Sequence, residues 1–343
     1  MATIKDVAKL AGVGIGTVSR VVSGNGSVSH KTSVKVNNAI NILNYKPNYT
    51  ARSLSSKTFD IIGIWATESS GAFNSTADAD TNSPLKIIEH EISRHNKHCI
   101  LIDGNVSTPN NPNEAVQSFE RLISRGCDGI LIWGFGLHPK DVIQLEKQFP
   151  NIALLNNKID LIKNKCFYYD HYTAGKIAAQ HLLKNGHTKI ACITGDLKTD
   201  DGYARHNGVI DALKEYDIEM KPEHIIEGDY SFKCGEQGVK NLLNQNSDFS
   251  ALLCGNDSIA MAAISTLSKE GLSVPNDVSV IGYDDNVVAN YTSPPLTTVR
   301  VPFNDMALFS TKFLLNQCYG LDLSISYDFP VELIVRESVK NIA

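Results

Sequence analysis

A group of polar side chains sits where parallel strands would present them to a small molecule. Asn157 follows the apolar run Ile152 to Leu155, and Asp201 and Arg205 follow Lys189 to Thr194. Tyr230 follows Glu227-Gly-Asp229, Asn256 follows Ala251 to Cys254, and Asp284 follows Val278 to Tyr283. Open parallel sheets bind ligands beyond the carboxyl ends of their strands, so these positions fall where a cleft is expected. Carboxylate, amide and guanidinium groups with an aromatic ring to stack on are what the vicinal hydroxyls of a sugar require. A plainer reading stands beside each. Asp257 can cap a helix starting near Ser258, Asp285 can do the same for its own turn, and Arg205 can pair with Asp200 or Asp201.

A second group suits a different partner. Thr17, Ser19 and Arg20 interleave with the apolar stripe Val18, Val21 and Val22. A guanidinium can donate two hydrogen bonds to a guanine edge, and small hydroxyls suit phosphate or base contacts. Other chemistries lack their patterns. No phosphate-binding glycine loop and no G-x-S-x-G elbow occurs, and His90-Glu-Ile-Ser-Arg94 fails the H-E-x-x-H pattern at its last position. The seven cysteines are scattered without a C-x-x-C pair, so neither a disulfide frame nor a zinc cluster is indicated. The expectation is a binding protein rather than an enzyme, with no metal and no cofactor.

The elements that must carry the second group are legible at the start of the chain. Thr3 with Asp6 three residues later caps a helix over about 4 to 11, which Gly12 ends. A second helix spans about 15 to 23, and Ser29 caps a third whose face is Val36, Ile40 and Leu43 before Tyr45-Lys-Pro47 stops it. Two short helices joined by a tight glycine turn and closed by a third is the helix-turn-helix plan, which lays the second helix in the major groove. Any three-helix bundle fits the periodicity equally well. Charge separates the two: residues 1 to 59 hold eight basic side chains against the single acid Asp6, in a chain whose total is −5. A basic head on an acidic body is the electrostatic form of a protein that touches polyanions with one end.

From Asp60 onward, apolar runs alternate with helical patterns, the signature of parallel sheets covered by helices. A body of this length divides naturally into two lobes. The fold class is therefore α/β: a three-helix head and linker, then a two-lobe body of doubly wound parallel sheets. No apolar run approaches the roughly 18 residues of a membrane span, and the first residues are no secretory signal, so a cytoplasmic protein without a membrane partner is expected.

The segments Thr3-Ile-Lys-Asp-Val-Ala-Lys-Leu-Ala-Gly-Val13, Thr17-Val-Ser-Arg-Val-Val22, Leu43-Asn-Tyr-Lys-Pro-Asn48 and Ala51-Arg-Ser-Leu54 resemble the lactose-repressor/galactose-repressor family of bacterial regulators, and the similarity extends over nearly all of the chain. That resemblance implies a transcription regulator, with the head at 1–46, a hinge at 47–59 and the body at 60–343. It places the first lobe at about 60–160 with 293–322, and the second at about 161–292 with 323–343. It implies base reading by Ile15, Gly16 and Arg20, phosphate contacts from Ser19, Ser29, Thr32 and Tyr45, and a DNA-facing set that also includes Ile4, Asn48 and Ala51. The hinge would fold on DNA and insert Leu54 into the minor groove, where an apolar wedge bends the duplex; Leu54 as a simple packing residue is the alternative. Gly14 replaces the family's usual small hydroxyl residue and Gly16 offers no side chain to a base.

In the body the resemblance implies effector contacts at Arg205, Asn256 and Asp284, and more loosely at Asn157 and Tyr230. The loop between Thr67 and Leu85 is longer than relatives carry, and Phe73, Asn82 and Ser83 are expected to border the pocket, with the added segment either a partial lid or a solvated insertion. The partners implied are a pseudo-palindromic double-stranded operator, a small sugar-like effector, and a second copy in a homodimer, since the leucine heptads that make some relatives tetramers are missing. A purine- or nucleoside-type corepressor is the variant reading. A sugar-binding protein without DNA affinity would leave residues 1–57 unexplained, and a carbohydrate enzyme would need two facing carboxylates that a sequence cannot place.

Overall fold

The computed structural model describes residues 2–23, 28–45, 58–67, 83–104, 112–134, 138–245 and 247–343. The expectations for Asn48, Ala51, Leu54, Phe73 and Asn82 lie outside the described residues.

Helix α1 (Ile4–Ala11) begins with the reciprocal capping box read from Thr3 and Asp6 and ends on Gly12 in the left-handed region. The amide of Thr17 then bonds the Gly14 carbonyl, which starts α2 (Ile15–Ser23). Ser29 caps α3 (His30–Ile42) through the amide of Thr32. Val7, Ala8, Val18, Val36 and Ala39 from the three helices form one small core. That stripe fixes which face of α2 turns inward and leaves the opposite face to solvent.

The first sheet of the body is built from β1 (Ile61–Ala66), β2 (His98–Asp103), β3 (Gly129–Trp133), β4 (Ile152–Leu155) and β5 (Cys166–Phe167), all parallel in the order β2-β1-β3-β4-β5. Helices α4 (Pro84–Arg94), α5 (Pro112–Ser124) and α6 (Pro139–Gln148) connect them. The second sheet comprises β6 (Ile190–Ile193), β7 (Ile225–Ile226), β8 (Ala251–Cys254) and β9 (Ser279–Ile281), parallel in the order β7-β6-β8-β9. Its helices are α7 (His171–Lys184), α8 (Asp200–Lys214), α9 (Phe232–Asn244) and α10 (Asp257–Lys269). Strands β3, β4, β6 and β8 are buried along their whole length, which is why they read as unbroken apolar runs.

Two lobe assignments need correction. Strand β5 completes the first sheet by pairing with β4, so that lobe reaches past the expected boundary near residue 160. Residues 297–300, expected in the first lobe, run instead along the second: Gly282 and Asp284 donate their amides to the carbonyls of Thr297 and Val299, and β10 (Thr298–Arg300) pairs antiparallel with β11 (Glu332–Ile334). The chain returns to the first lobe only with α11 (Phe303–Tyr319), which packs on α4, β3 and β4. The last residues then close on the second lobe, where Ser338 bonds Val280 and Ile342 bonds Asn185.

Helices α7 and α8 approach so closely that glycine is required on both. A methyl group at Gly175 would lie 2.0 Å from the Arg205 carbonyl oxygen, and one at Gly208 would lie 2.0 Å from that of Tyr172. This contact sets where α8 carries Arg205.

Candidate functional site

In the second sheet the strand order reverses between β6 and β8, the position where doubly wound sheets open a crevice for ligands. Arg205 stands there, only 7% exposed. Its Nη1 donates to the carbonyl of Gly255, just after β8, and its guanidinium lies 3.5 Å over the Tyr283 ring and 5.6 Å from that of Tyr230. Nη2 sits 4.0 Å from Asp201 Oδ2, one turn earlier on α8, and the Tyr230 hydroxyl donates to the same oxygen at 3.2 Å. Three polar atoms here are buried without a hydrogen-bond partner: Arg205 Nε and the hydroxyls of Tyr169 and Tyr283. Buried donors left unpaired are costly, and a ligand that offers acceptors relieves that cost.

The backbone is bent to the same end. Asn156, Tyr230 and Asp284 all take positive φ, at 59°, 66° and 120°. For non-glycine residues such conformations cost on the order of 1–3 kcal/mol each and cluster at binding sites. His171, the first residue of α7, joins the two lobes: its Nε2 is 3.1 Å from Asn156 Oδ1 and its Nδ1 is 3.5 Å from Arg205 Nη2. Burial first, and the Arg205 charge second, hold its pKa well below the ordinary histidine value, so the ring is neutral. A guanidinium only donates, so Nδ1 accepts from Arg205 and Nε2–H donates to Asn156.

The expected effector residues are thus divided. Asp201, Arg205, Tyr230 and Asp284 come together. Asn256 is the cap of α10, accepting from the Ile259 amide at 2.8 Å and donating to the Tyr230 carbonyl at 3.0 Å, so it shapes the wall. Asn157 donates to the carbonyls of Gly134 and Leu155 and ties β3 to β4, whereas its neighbour Asn156 reaches His171. Ser83 caps α4. Asp257 does not cap α10, and Asp285 serves no helix: it pairs with Arg300 at 2.8 Å and Arg336 at 2.5 Å. Tyr169, His171 and Tyr283 were missed, because an aromatic or histidine at the end of an apolar run carries the same pattern as core. Cavities of about 300 Å³ near Leu272 and about 220 Å³ near Met220 lie elsewhere in the second lobe.

Asp257 is 1% exposed and accepts from Thr298 Oγ1 at 2.6 Å and the Asn286 amide at 2.7 Å. Burial raises its pKa above the carboxylate range despite those bonds, and burial with the neighbouring Asp257 does the same to Asp284. The folded chain therefore holds more protons than the unfolded chain above the ordinary carboxylate pKa of about 4, and stability falls as pH rises through the elevated folded values. Denaturant titrations between about pH 5 and about pH 9 are expected to show that decline, and Asp257→Asn, which keeps an acceptor but cannot ionise, is expected to flatten it. An unchanged slope in the variant would assign the decline to other groups.

In the head, Ile15, Gly16, Ser19 and Arg20 occupy the exposed face of α2, and Thr17 is half-buried. Arg20 Nε rests on the Gly16 carbonyl at 3.2 Å, and Ser29 and Thr32 share a hydrogen bond of 2.9 Å at the start of α3. Ile4 and Tyr45 pack in part against the head's core, which gives both a structural task.

The description "Bacterial regulatory proteins, lacI family" matches residues 3–48, and "Periplasmic binding protein-like domain" matches residues 179–339. The regulator GalR of Escherichia coli (strain K12) is 32% identical over 340 residues, covering 99% of this chain and 96% of that protein. This chain belongs to the lacI family. The repressor PurR of Haemophilus influenzae (strain PittEE) is 32% identical over 352 residues and the full length of both chains. Among solved structures, the Lac repressor dimer bound to operator and the anti-inducer ONPF is similar at a TM-score of 0.83 and 27% identity, covering 99% of each chain. The CelR–cellobiose complex is similar at 0.66 and 26%, covering 98% of this chain and all of that one. As a lacI-family member the chain is a DNA-binding transcriptional regulator of the repressor type, with a helix-turn-helix head and an effector-binding body. Among the described residues no helix is long and apolar enough to cross a membrane.

Proposed function

We propose that this regulator is a homodimeric repressor of carbohydrate-utilisation genes, and that a sugar or sugar derivative held between the lobes by Arg205, Asp201, Tyr230 and Asp284 controls its grip on a pseudo-palindromic operator. The observation that carries the reading is the buried Arg205, stacked on Tyr283 with Nε and two tyrosine hydroxyls unpaired around it. Ring stacking beside donors and carboxylates is how binding sites hold a polyhydroxylated ring. The likeness to the CelR–cellobiose complex supports a sugar, and a purine base is the competing ligand to test.

The test starts with DNA. Full-length protein incubated with random-sequence duplexes at moderate salt should enrich one pseudo-palindrome, and that duplex then reports each candidate ligand by a change in affinity. Hexoses, disaccharides and purine bases are screened together. A response to a sugar alone supports the proposal, and a response to a purine base alone replaces it. Arg20→Ala should weaken the selected duplex by about tenfold to a hundredfold and relax preference at one base position, as loss of a bidentate guanine contact does. Equal weakening on all sequences would make Arg20 a phosphate contact.

A further inference from the structure

At the opposite end of α11 from the cleft, a knot of side chains holds the chain where it enters the body. Asp128 Oδ1 accepts the Phe59 amide at 2.8 Å, and Oδ2 accepts the Ile61 amide at 3.1 Å and the Tyr319 hydroxyl at 2.9 Å. Asp60 between them takes φ of 63° and pairs with Lys97 at 2.6 Å, and Lys97 lies 4.2 Å over the Tyr319 ring. The Phe59 ring rests against Gly126 but is 47% exposed, so apolar burial alone does not fix it. Charge-assisted bonds from one carboxylate to two backbone amides do, and such bonds are about twice as strong as neutral ones.

Helix α11 carries the other side of this knot. Tyr319 is its last residue, and its first, Phe303, meets the Tyr169 ring edge-on at 5.9 Å, next to His171. Its 17 residues form a rod roughly 25 Å long, seated on α4, β3 and β4. One rigid element therefore touches the aromatic wall of the cleft at one end and the entry of the chain at the other.

We propose that Asp128 and Tyr319 are positioning residues for operator binding: together they fix the course of the chain at 59–61, and α11 links that clamp to the cleft. The inference rests on the reading that the body controls DNA affinity, and its physical warrant is a contiguous chain of packed and hydrogen-bonded groups.

Three full-length variants test it: Tyr319→Phe, which removes only the hydroxyl, Asp128→Asn, and Phe303→Leu. Amide hydrogen exchange over 59–61 should quicken in the first two, and affinity for the duplex selected by the wild type should fall about tenfold, more in Asp128→Asn. In a double-mutant cycle on operator affinity, Phe303→Leu and Tyr319→Phe should be non-additive. A lowered melting temperature with exchange at 59–61 and operator affinity unchanged would make the clamp merely structural and overturn the proposal; strict additivity would overturn the link through α11. If the wild type selects no duplex, the proposed function fails, and exchange at 59–61 still decides the clamp.

Discussion

Arg205→Met is expected to abolish the response to effector while operator binding survives. Methionine keeps an apolar stem over the Tyr283 ring but removes every guanidinium bond, including the one to the Gly255 carbonyl. Hydrogen bonds to a charged group contribute about 1.5–3 kcal/mol each, so loss of one to a ligand weakens it by about tenfold to a hundredfold, and loss of two by about a hundredfold or more. The variant also strips Asp201, which is only 8% exposed, of the cation 4.0 Å away. An uncompensated buried charge destabilises by itself, so the substitution is best made both alone and with Asp201→Asn. Calorimetry with the active ligand and anisotropy with the selected duplex separate the effects. If Arg205→Met with Asp201→Asn regains stability and ignores ligand while Asp201→Asn alone still responds, the arginine acts on the ligand directly. If ligand affinity returns with stability, Arg205 was a structural cation and the cleft is elsewhere.

How much of this could be read in advance follows from burial. Strands such as β3 and β8 are enclosed on both faces, so their sequences are apolar without interruption and point to themselves. Strands β5 and β7, of two residues each, leave no such trace. The crossing of 297–300 was misplaced because it depends on backbone bonds from Gly282 and Asp284, which no side-chain pattern records. Within the site, Arg205 and Asp201 stood out because charge after an apolar run is unusual. Asn157 and Asn156 could not be told apart, since two adjacent amides differ only in direction, and direction depends on the positive φ of Asn156. Tyr169 and Tyr283 looked like core and are core, and only the arginine lying over the Tyr283 ring marks them as part of the site. The head was the most legible part, because caps, glycine turn and valine stripe are all local signals.

The larger structural effect is expected from a single methyl group. Gly175→Ala would place it 2.0 Å from the Arg205 carbonyl oxygen, against contacts of 3.0 Å or more that real methyl groups keep. The obstacle is backbone, so no rotamer change relieves it, and α7 and α8 must separate by about 1 Å along a seam that also packs Ala178, Val209 and Ala212. Overpacking of this kind costs about 3 kcal/mol, which lowers the melting temperature by roughly 6–12 °C. Because the clash is with the residue that bears the guanidinium, the same shift carries Arg205 off the Tyr283 ring and away from His171, and ligand affinity should drop with stability. Gly16→Ala in α2 is the matching control: its methyl meets nothing within 4 Å, and alanine in a helix is favoured over glycine by about 1 kcal/mol, so the head should gain stability. Calorimetric scans of the two variants separate close approach from glycine content as the reason for these residues. Equal, small effects would mean that the α7–α8 seam relaxes freely, and that the position of Arg205 is set from the Gly255 and Tyr283 side instead.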